Sequence, residues 1–370
     1  MTMPAAESKN DHASLAERLK APQAGLPCIT AALSGIGGTI KALPEHFEVE
    51  EDLPYAPCGE GEHLFIRLRR SGWNTADVGR ALADALRIKI DAVGWGGRKD
   101  RHALTTQTFS VPLALNRPQS EVAAALADLP FEILDMRRHR NKLKTGHVAG
   151  NRFRIVLSQV TPAELAQART IAGSLLEHGL PNYFGEQRFG AGFRNLERAA
   201  QLTLQARPAR GSQATFMVSA LQGALFNIWL RARIERGDFG RILHGDIAQK
   251  TDTGGLFRVD QPDEANQRLR SGAIVYTGPL YGFKMMPAAG IAGEWEDAVL
   301  QSVDLDPSAF KPLRAPGSRR PALLRLSGIS IRPVAEGLEF TFSLPAGAYA
   351  TTLMREFIKQ SAASKADPHR

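Results

Sequence analysis

The sequence predicts an α/β protein in which strand-rich stretches at both ends flank a middle dominated by longer helices. Apolar residues alternate with period two at Leu64, Ile66, Leu68 and again at Phe153, Ile155, Leu157. Between and after these runs the apolar spacing becomes helical. Period-two alternation then returns near the C-terminus, at Leu338, Phe340, Phe342 and Leu344. That texture by itself does not bring the two strand-rich ends into one domain. No internal repeat of fixed period is present.

The elements follow in order. After Leu64–Arg69, Asn74 offers a cap for a helix carrying Val78, Leu82 and Leu86. The second alternating run sets Phe153, Ile155 and Leu157 against Arg152, Arg154 and Val156. Thr161, with Pro162 next and Glu164 three residues on, is a capping-box signature for a helix ending at Gly179. From about Pro181 to Pro321 longer helices dominate, among them one marked by Met217, Leu221, Leu225 and Trp229. Thr253-Gly254-Gly255 predicts a hairpin turn. After the last strand, Pro345-Ala346-Gly347-Ala348-Tyr349 turns into a final helix bearing Leu353, Phe357 and Ile358.

With 370 residues, 43% hydrophobic and 23% charged, the chain has the composition of an ordinary globular protein with room for two cores. No apolar run has the length of a membrane span, and the polar opening residues lack the apolar core of a secretory signal. The two cysteines, Cys28 and Cys58, form no CxxC pair, which argues against a zinc site or disulfide scaffold and for a cytoplasmic setting. A formal net charge of +8 favours an anionic partner. Arg137, Arg138, His139, Arg140, Lys142 and Lys144 are clustered; the cluster is either a solvated face or a phosphate grip.

Five segments carry candidate chemistry. Asp100, in Gly97-Arg98-Lys99-Asp100-Arg101-His102-Ala103-Leu104, sits between two cations just after glycines. Alone it would read as a turn-capping residue. The others are Pro44-Glu45-His46-Phe47-Glu48-Val49-Glu50-Glu51; Arg138 through Phe153, with Gly150-Asn151; Asn182-Tyr183-Phe184-Gly185-Glu186-Gln187-Arg188-Phe189-Gly190; and Leu344 through Glu356. Taken singly, Phe47 is as easily a core aromatic as a base contact, Asn151 a turn residue, and Tyr349 a packing ring at a strand–helix turn. The Gly35-Ile36-Gly37-Gly38 run lacks P-loop spacing, and no GxGxG cofactor loop or HExxH grouping is present.

Together and in this order, the five segments resemble the TruD family of tRNA pseudouridine synthases. The family patterns are PEDFxVxE, RHxxKLxxGxxxGNxF, NYFGxQRFG and LPAGxFATxxxRE, with the catalytic-Asp string between the first two. His46 departs from the acidic third position, and Tyr349 stands where Phe is common. The resemblance implies a pseudouridine synthase catalytic domain with a central mixed, mainly antiparallel sheet, residues 31–178 and 324–362, interrupted by an inserted TRUD domain at 179–323. Residues 1–30 and 363–370 would be disordered tails. It implies isomerisation of uridine to pseudouridine in tRNA, at position 13 of the D arm, with Asp100 as nucleophile. Substrate contacts would come from Phe47, Asn151, Phe153 and Tyr349. Lys41 and Arg355 are the candidate cationic partners of Asp100; Arg138, Arg140, Lys142, Lys144 and Arg188 are the candidate RNA-backbone contacts. The chemistry asks for no cofactor or metal, and a monomer is the default. The rival reading is a tRNA-binding or chaperone protein that keeps the fold without catalysis.

Overall fold

A computed structural model describes residues 15–359. The strands of the first part are β1 (Phe47–Asp52), β2 (His63–Arg70), β3 (Gly94–Trp95), β4 (Leu104–Pro112), β5 (Glu132–His139) and β6 (Gly150–Ser158). The middle contributes β7 (Leu180–Pro181), β8 (Ile247–Lys250), β9 (Leu256–Arg258), β10 (Ile274–Leu280), β11 (Ser318–Pro321) and β12 (Leu323–Leu324). Two more strands, β13 (Ile329–Val334) and β14 (Gly337–Pro345), precede the final helix Ala350–Ile358.

The chain divides into two compact units, one made of residues 35–172 and 326–350. Its eight-stranded sheet runs β13-β14-β6-β1-β4-β2-β5, with β3 on β4. Every pairing is antiparallel except β1 with β4, which is parallel. Cross-strand partners point to the same face of a sheet. The register Val49↔Phe153↔Phe342 and Glu51↔Asn151↔Leu344 therefore sets Phe47, Val49, Glu51, Asn151, Phe153 and Phe342 on one face. Thr105, Gln107 and Phe109 of β4 join them, as do Ile66, Leu68 and Arg70 of β2. Helix Thr75–Leu86 lays Val78 and Leu82 against Leu64, Ile66, Leu68 and Phe109, each with no exposed surface. Asn74 is its N-cap residue, but the Asn74 amide donates to Asp77 at 3.0 Å instead of accepting from the helix backbone. On the opposite face Arg154 bridges Glu48 and Glu339 at 2.6 and 2.7 Å. The predicted capping box forms: Thr161 N donates to Glu164 at 2.7 Å and Ala163 N to Thr161 Oγ1 at 3.3 Å.

The second unit takes in the described residues up to Ser34, then Gly173–Arg325, then the chain from Thr351. A four-stranded sheet, β11-β10-β8-β9, includes the hairpin turned by Gly254 at φ +73°. Helix Gly211–Glu235 carries Arg233, whose buried guanidinium donates to both oxygens of Asp246 at 2.8 and 2.6 Å. These boundaries differ from those expected at Gly179 and Leu323, and the two end segments belong with the inserted unit. The reason is a set of buried contacts: Glu356 accepts from Ile29 N and Thr30 N at 3.0 and 3.1 Å, and Asn227 donates to Gln23 at 2.9 Å. Residues 15–30 are likewise not a disordered tail. Residues 15–20 are helical, and Leu15, Ala16 and Leu19 form a short buried apolar stripe. The remaining tail expectations, at 1–14 and 363–370, lie outside the described residues.

Candidate active site

Asp100 lies in the loop between β3 and β4. Its Oδ2 stands 2.5 Å from Lys41 Nζ, and both side chains are 22% exposed. The other oxygen accepts from His102 N at 3.0 Å. Burial pushes the carboxyl pKa up, but the Lys41 hydrogen bond, the His102 N–H and the Lys41 charge outweigh it. The net result is an acid held below its ordinary range and ionised at neutral pH.

Lys41 is delivered by a constrained segment. Gly37 and Gly38 adopt φ of +67° and +93°, and a Cβ on Gly38 would meet Leu157 at 2.7 Å. Thr39 then exchanges two backbone hydrogen bonds with Ser158, at 2.9 and 3.0 Å. Lys41 itself takes φ +61°, a left-handed conformation uncommon for a side-chain-bearing residue and often found where function fixes the backbone. Its ammonium also lies 4.5 Å from the centroid of the Phe47 ring. Lys41 is one of the two cations expected from sequence to serve Asp100. The other, Arg355, donates to Pro27 O at 3.3 Å and lies over the Tyr183 ring at 5.3 Å within the second unit.

Beneath the Asp100 loop is a polar cluster to which the sequence reading gave no role. Glu51, fully buried, pairs with Lys99 at 2.8 Å. Gln107 donates to Gly97 O at 2.7 Å and to Glu51 at 3.4 Å. Thr75 Oγ1 accepts from Lys99 N at 2.9 Å. Arg70, 2% exposed, donates to Thr75 Oγ1 at 3.2 Å and to Asp100 O at 3.5 Å. Burial lowers the Arg70 pKa to about 10, against the upward pull of Asp100 and Glu51. A signal for them exists in the sequence. Glu51 continues the buried phase of Phe47 and Val49, and Arg70 that of Leu64, Ile66 and Leu68; a charge in an apolar phase needs a partner.

An aromatic row adjoins Lys41. Phe47 meets Phe153 edge-on at 6.2 Å, and Phe153 stacks on Phe342 at 5.4 Å with planes 24° apart. All three rings are buried. Asn151 follows on the same face of β6, and its Oδ1 is buried with no hydrogen-bond partner among the described residues. Tyr349 is half-buried in the turn after β14, which is tied to β6 by Ala346 N donating to Ala149 O at 3.2 Å.

The basic cluster is not uniform. Arg138 donates to Gly61 O, Leu113 O and Ala114 O at 2.9, 3.0 and 3.1 Å, and also to Arg117 O. These bonds engage both terminal amino groups of its guanidinium with carbonyls of the protein. Arg140 pairs with Glu60 on the surface, Lys142 donates to Asp91 O, and Lys144 is exposed. Arg188 lies 4.9 Å from the Phe216 ring and 5.6 Å from that of Phe184. Among the described residues no His, Cys, Asp and Glu group could hold a metal, and no helix is long and apolar enough to cross a membrane.

A family model described as tRNA pseudouridine synthase D (TruD) matches residues 23–209 and 210–357. The chain is 39% identical over 346 residues to a protein named tRNA pseudouridine synthase D from Anaeromyxobacter dehalogenans, covering 91% of this chain and 97% of the relative. A Thermus thermophilus protein of the same name is 40% identical, covering 91% and 93%. Among solved structures, a Methanosarcina mazei protein of that designation superposes with a TM-score of 0.70 at 23% identity, over 91% of this chain and 97% of the other; it supports the fold.

Proposed function

Because this chain belongs to the TruD family of tRNA pseudouridine synthases, we propose that it isomerises uridine to pseudouridine in tRNA with Asp100 as nucleophile. The observation that carries the reading is the Lys41–Asp100 pair: a partly buried carboxylate kept ionised by a cation that is itself fixed by backbone and ring. Such a group is suited to attack the anomeric carbon of an extruded nucleoside. As the carboxylate–carbon bond forms, the glycosidic bond breaks and its electron pair goes to the ring nitrogen. The freed uracil turns, its ring carbon attacks the same anomeric carbon, and the carboxylate leaves. The proton lost from that ring carbon is balanced by one gained on the nitrogen. The isomerisation has no net redox change, so it calls for neither redox cofactor nor nucleotide.

The orphaned Asn151 Oδ1 supports a contact with the uracil edge, whose imide N–H is a donor of the right kind. Phe47 and Phe153 are buried and would brace the site, while the half-buried Tyr349 ring is the candidate to stack on the extruded base in place of its lost neighbours. The net charge of +8 suits a polyanionic substrate, and two free cysteines suit a cytoplasmic setting. We assign the target to position 13 of the D arm, by the family resemblance.

The test uses unmodified tRNA, with pseudouridine mapped by carbodiimide-dependent reverse-transcription stops. The wild-type protein places one stop at position 13, and Asp100→Asn yields none, with tRNA affinity changed less than about threefold. Normal turnover by Asp100→Asn would overturn the nucleophile; a stop elsewhere would overturn the position.

A further inference from the structure

The loop that carries Asp100 is fixed from below by groups that touch neither the carboxylate nor the Lys41 ammonium. Glu51 is the hub. Its Oε1 meets Lys99 Nζ at 2.8 Å and Gln107 Nε2 at 3.4 Å, while Oε2 accepts from Thr108 N at 3.3 Å. Lys99 is the residue immediately before Asp100, and its side chain is 7% exposed. Gln107 extends the same hub to Gly97 O at 2.7 Å. Two strand residues thus grip the loop at two points within four residues of the acid.

A buried ion pair is weak evidence for stability, because desolvating both charges offsets much of their attraction. Its geometric demands are strict, and it tolerates little displacement of either partner. An ion pair directly preceding an attacking carboxylate therefore has a use that apolar packing would not supply. We propose that Glu51 is a positioning residue for Asp100, acting through Lys99 and Gln107 to hold the loop where Lys41 and the substrate both reach the carboxylate. The proposal rests on Asp100 being the reacting group.

The titratable groups whose fields act on Asp100 include Lys41 from the segment before β1, His102 from its own loop, and Arg70 from β2. A positioning role and a purely electrostatic one now have opposite signs. Removing the negative charge of Glu51 acts directly to lower the Asp100 pKa. Loosening the loop weakens the Lys41 contact, and that raises it.

The experiment compares wild type, Glu51→Gln, Gln107→Leu and Asp100→Asn on unmodified tRNA, measuring single-turnover rate, KM, pH profile and thermal midpoint. Glu51→Gln is expected to lose about tenfold or more in kcat with KM within about threefold, the acid limb of kcat/KM moving to higher pH. Gln107→Leu should repeat the pattern more weakly, and it carries the test if Glu51→Gln does not fold. An unchanged kcat in folded Glu51→Gln, or in Gln107→Leu where Glu51→Gln does not fold, overturns the proposal. So does a loss of rate that only follows the fall in thermal midpoint, with the acid limb unmoved or shifted to lower pH. If Asp100→Asn is inactive while Glu51→Gln is normal, the positioning role alone fails; if Asp100→Asn is active, the nucleophile assignment fails.

Discussion

The Lys41 ammonium sits 4.5 Å from the centroid of the Phe47 ring and, at the same time, 2.5 Å from Asp100. One cation thus faces both an acid and an aromatic surface. A long flexible side chain held from two directions loses few conformers when substrate arrives, which favours a fixed reacting geometry.

Lys41→Met removes the charge and keeps the stem. The Asp100 pKa should then rise, moving the acid limb of kcat/KM to higher pH, with kcat lower by about a hundredfold. The folded pKa of Asp100 is depressed. The stability it contributes is therefore present above the unfolded aspartate pKa of about 3.9 and disappears as pH falls through the folded value. Urea unfolding of wild type and Lys41→Met should differ at neutral pH and converge in acid.

Asn151→Ala separates function from stability. Its buried Oδ1 has no partner among the described residues, so deleting it removes a desolvation cost rather than a bond. Denaturant unfolding should show a change within about 1 kcal/mol, in either direction. Turnover of tRNA should nevertheless fall by about tenfold or more in kcat/KM, the worth of one lost hydrogen bond to substrate.

Arg138 and Lys144 should behave differently despite lying six residues apart in one basic stretch. Arg138→Lys abandons carbonyls of the protein, so it should cost about 1–3 kcal/mol of stability while the salt dependence of tRNA binding stays unchanged. Lys144→Ala should leave stability alone and reduce the log–log salt slope by about 1. Binding isotherms at several salt concentrations check both.

The strands around the site were legible because one face of each is apolar: Leu64, Ile66 and Leu68, then Phe153, Ile155 and Leu157, then Leu338 through Leu344 are buried in the phase their alternation implies. Phe47 and Asn151 could be placed on that face only once pairing was known, since register is not written in one strand. Asp100 and Lys41 are 59 positions apart, and only the fold brings Lys41 to the acid. The charge of Arg138 is visible in a sequence, and its backbone partners are not. Glu51 and Arg70 were overlooked for the same reason in reverse, as ionic groups in the middle of apolar phases. Residues 15–30 were misjudged because the polar run at 7–12 was extended over a following stretch whose Leu15, Ala16, Leu19 and Leu26 are buried.

The one parallel pairing in the sheet, β1 beside β4, has a consequence for where reagents can meet. Parallel neighbours begin at a common rim, so the leader of β1, with Lys41, and the leader of β4, with Asp100, emerge together. Were β1 reversed, its leader would enter from the far rim, displaced by the strand's own length of roughly 20 Å. Strand polarity, ahead of any side-chain choice, decides whether this acid has a counterion. A redesign that rewires the connections must preserve that orientation, or it will keep every residue and lose the encounter.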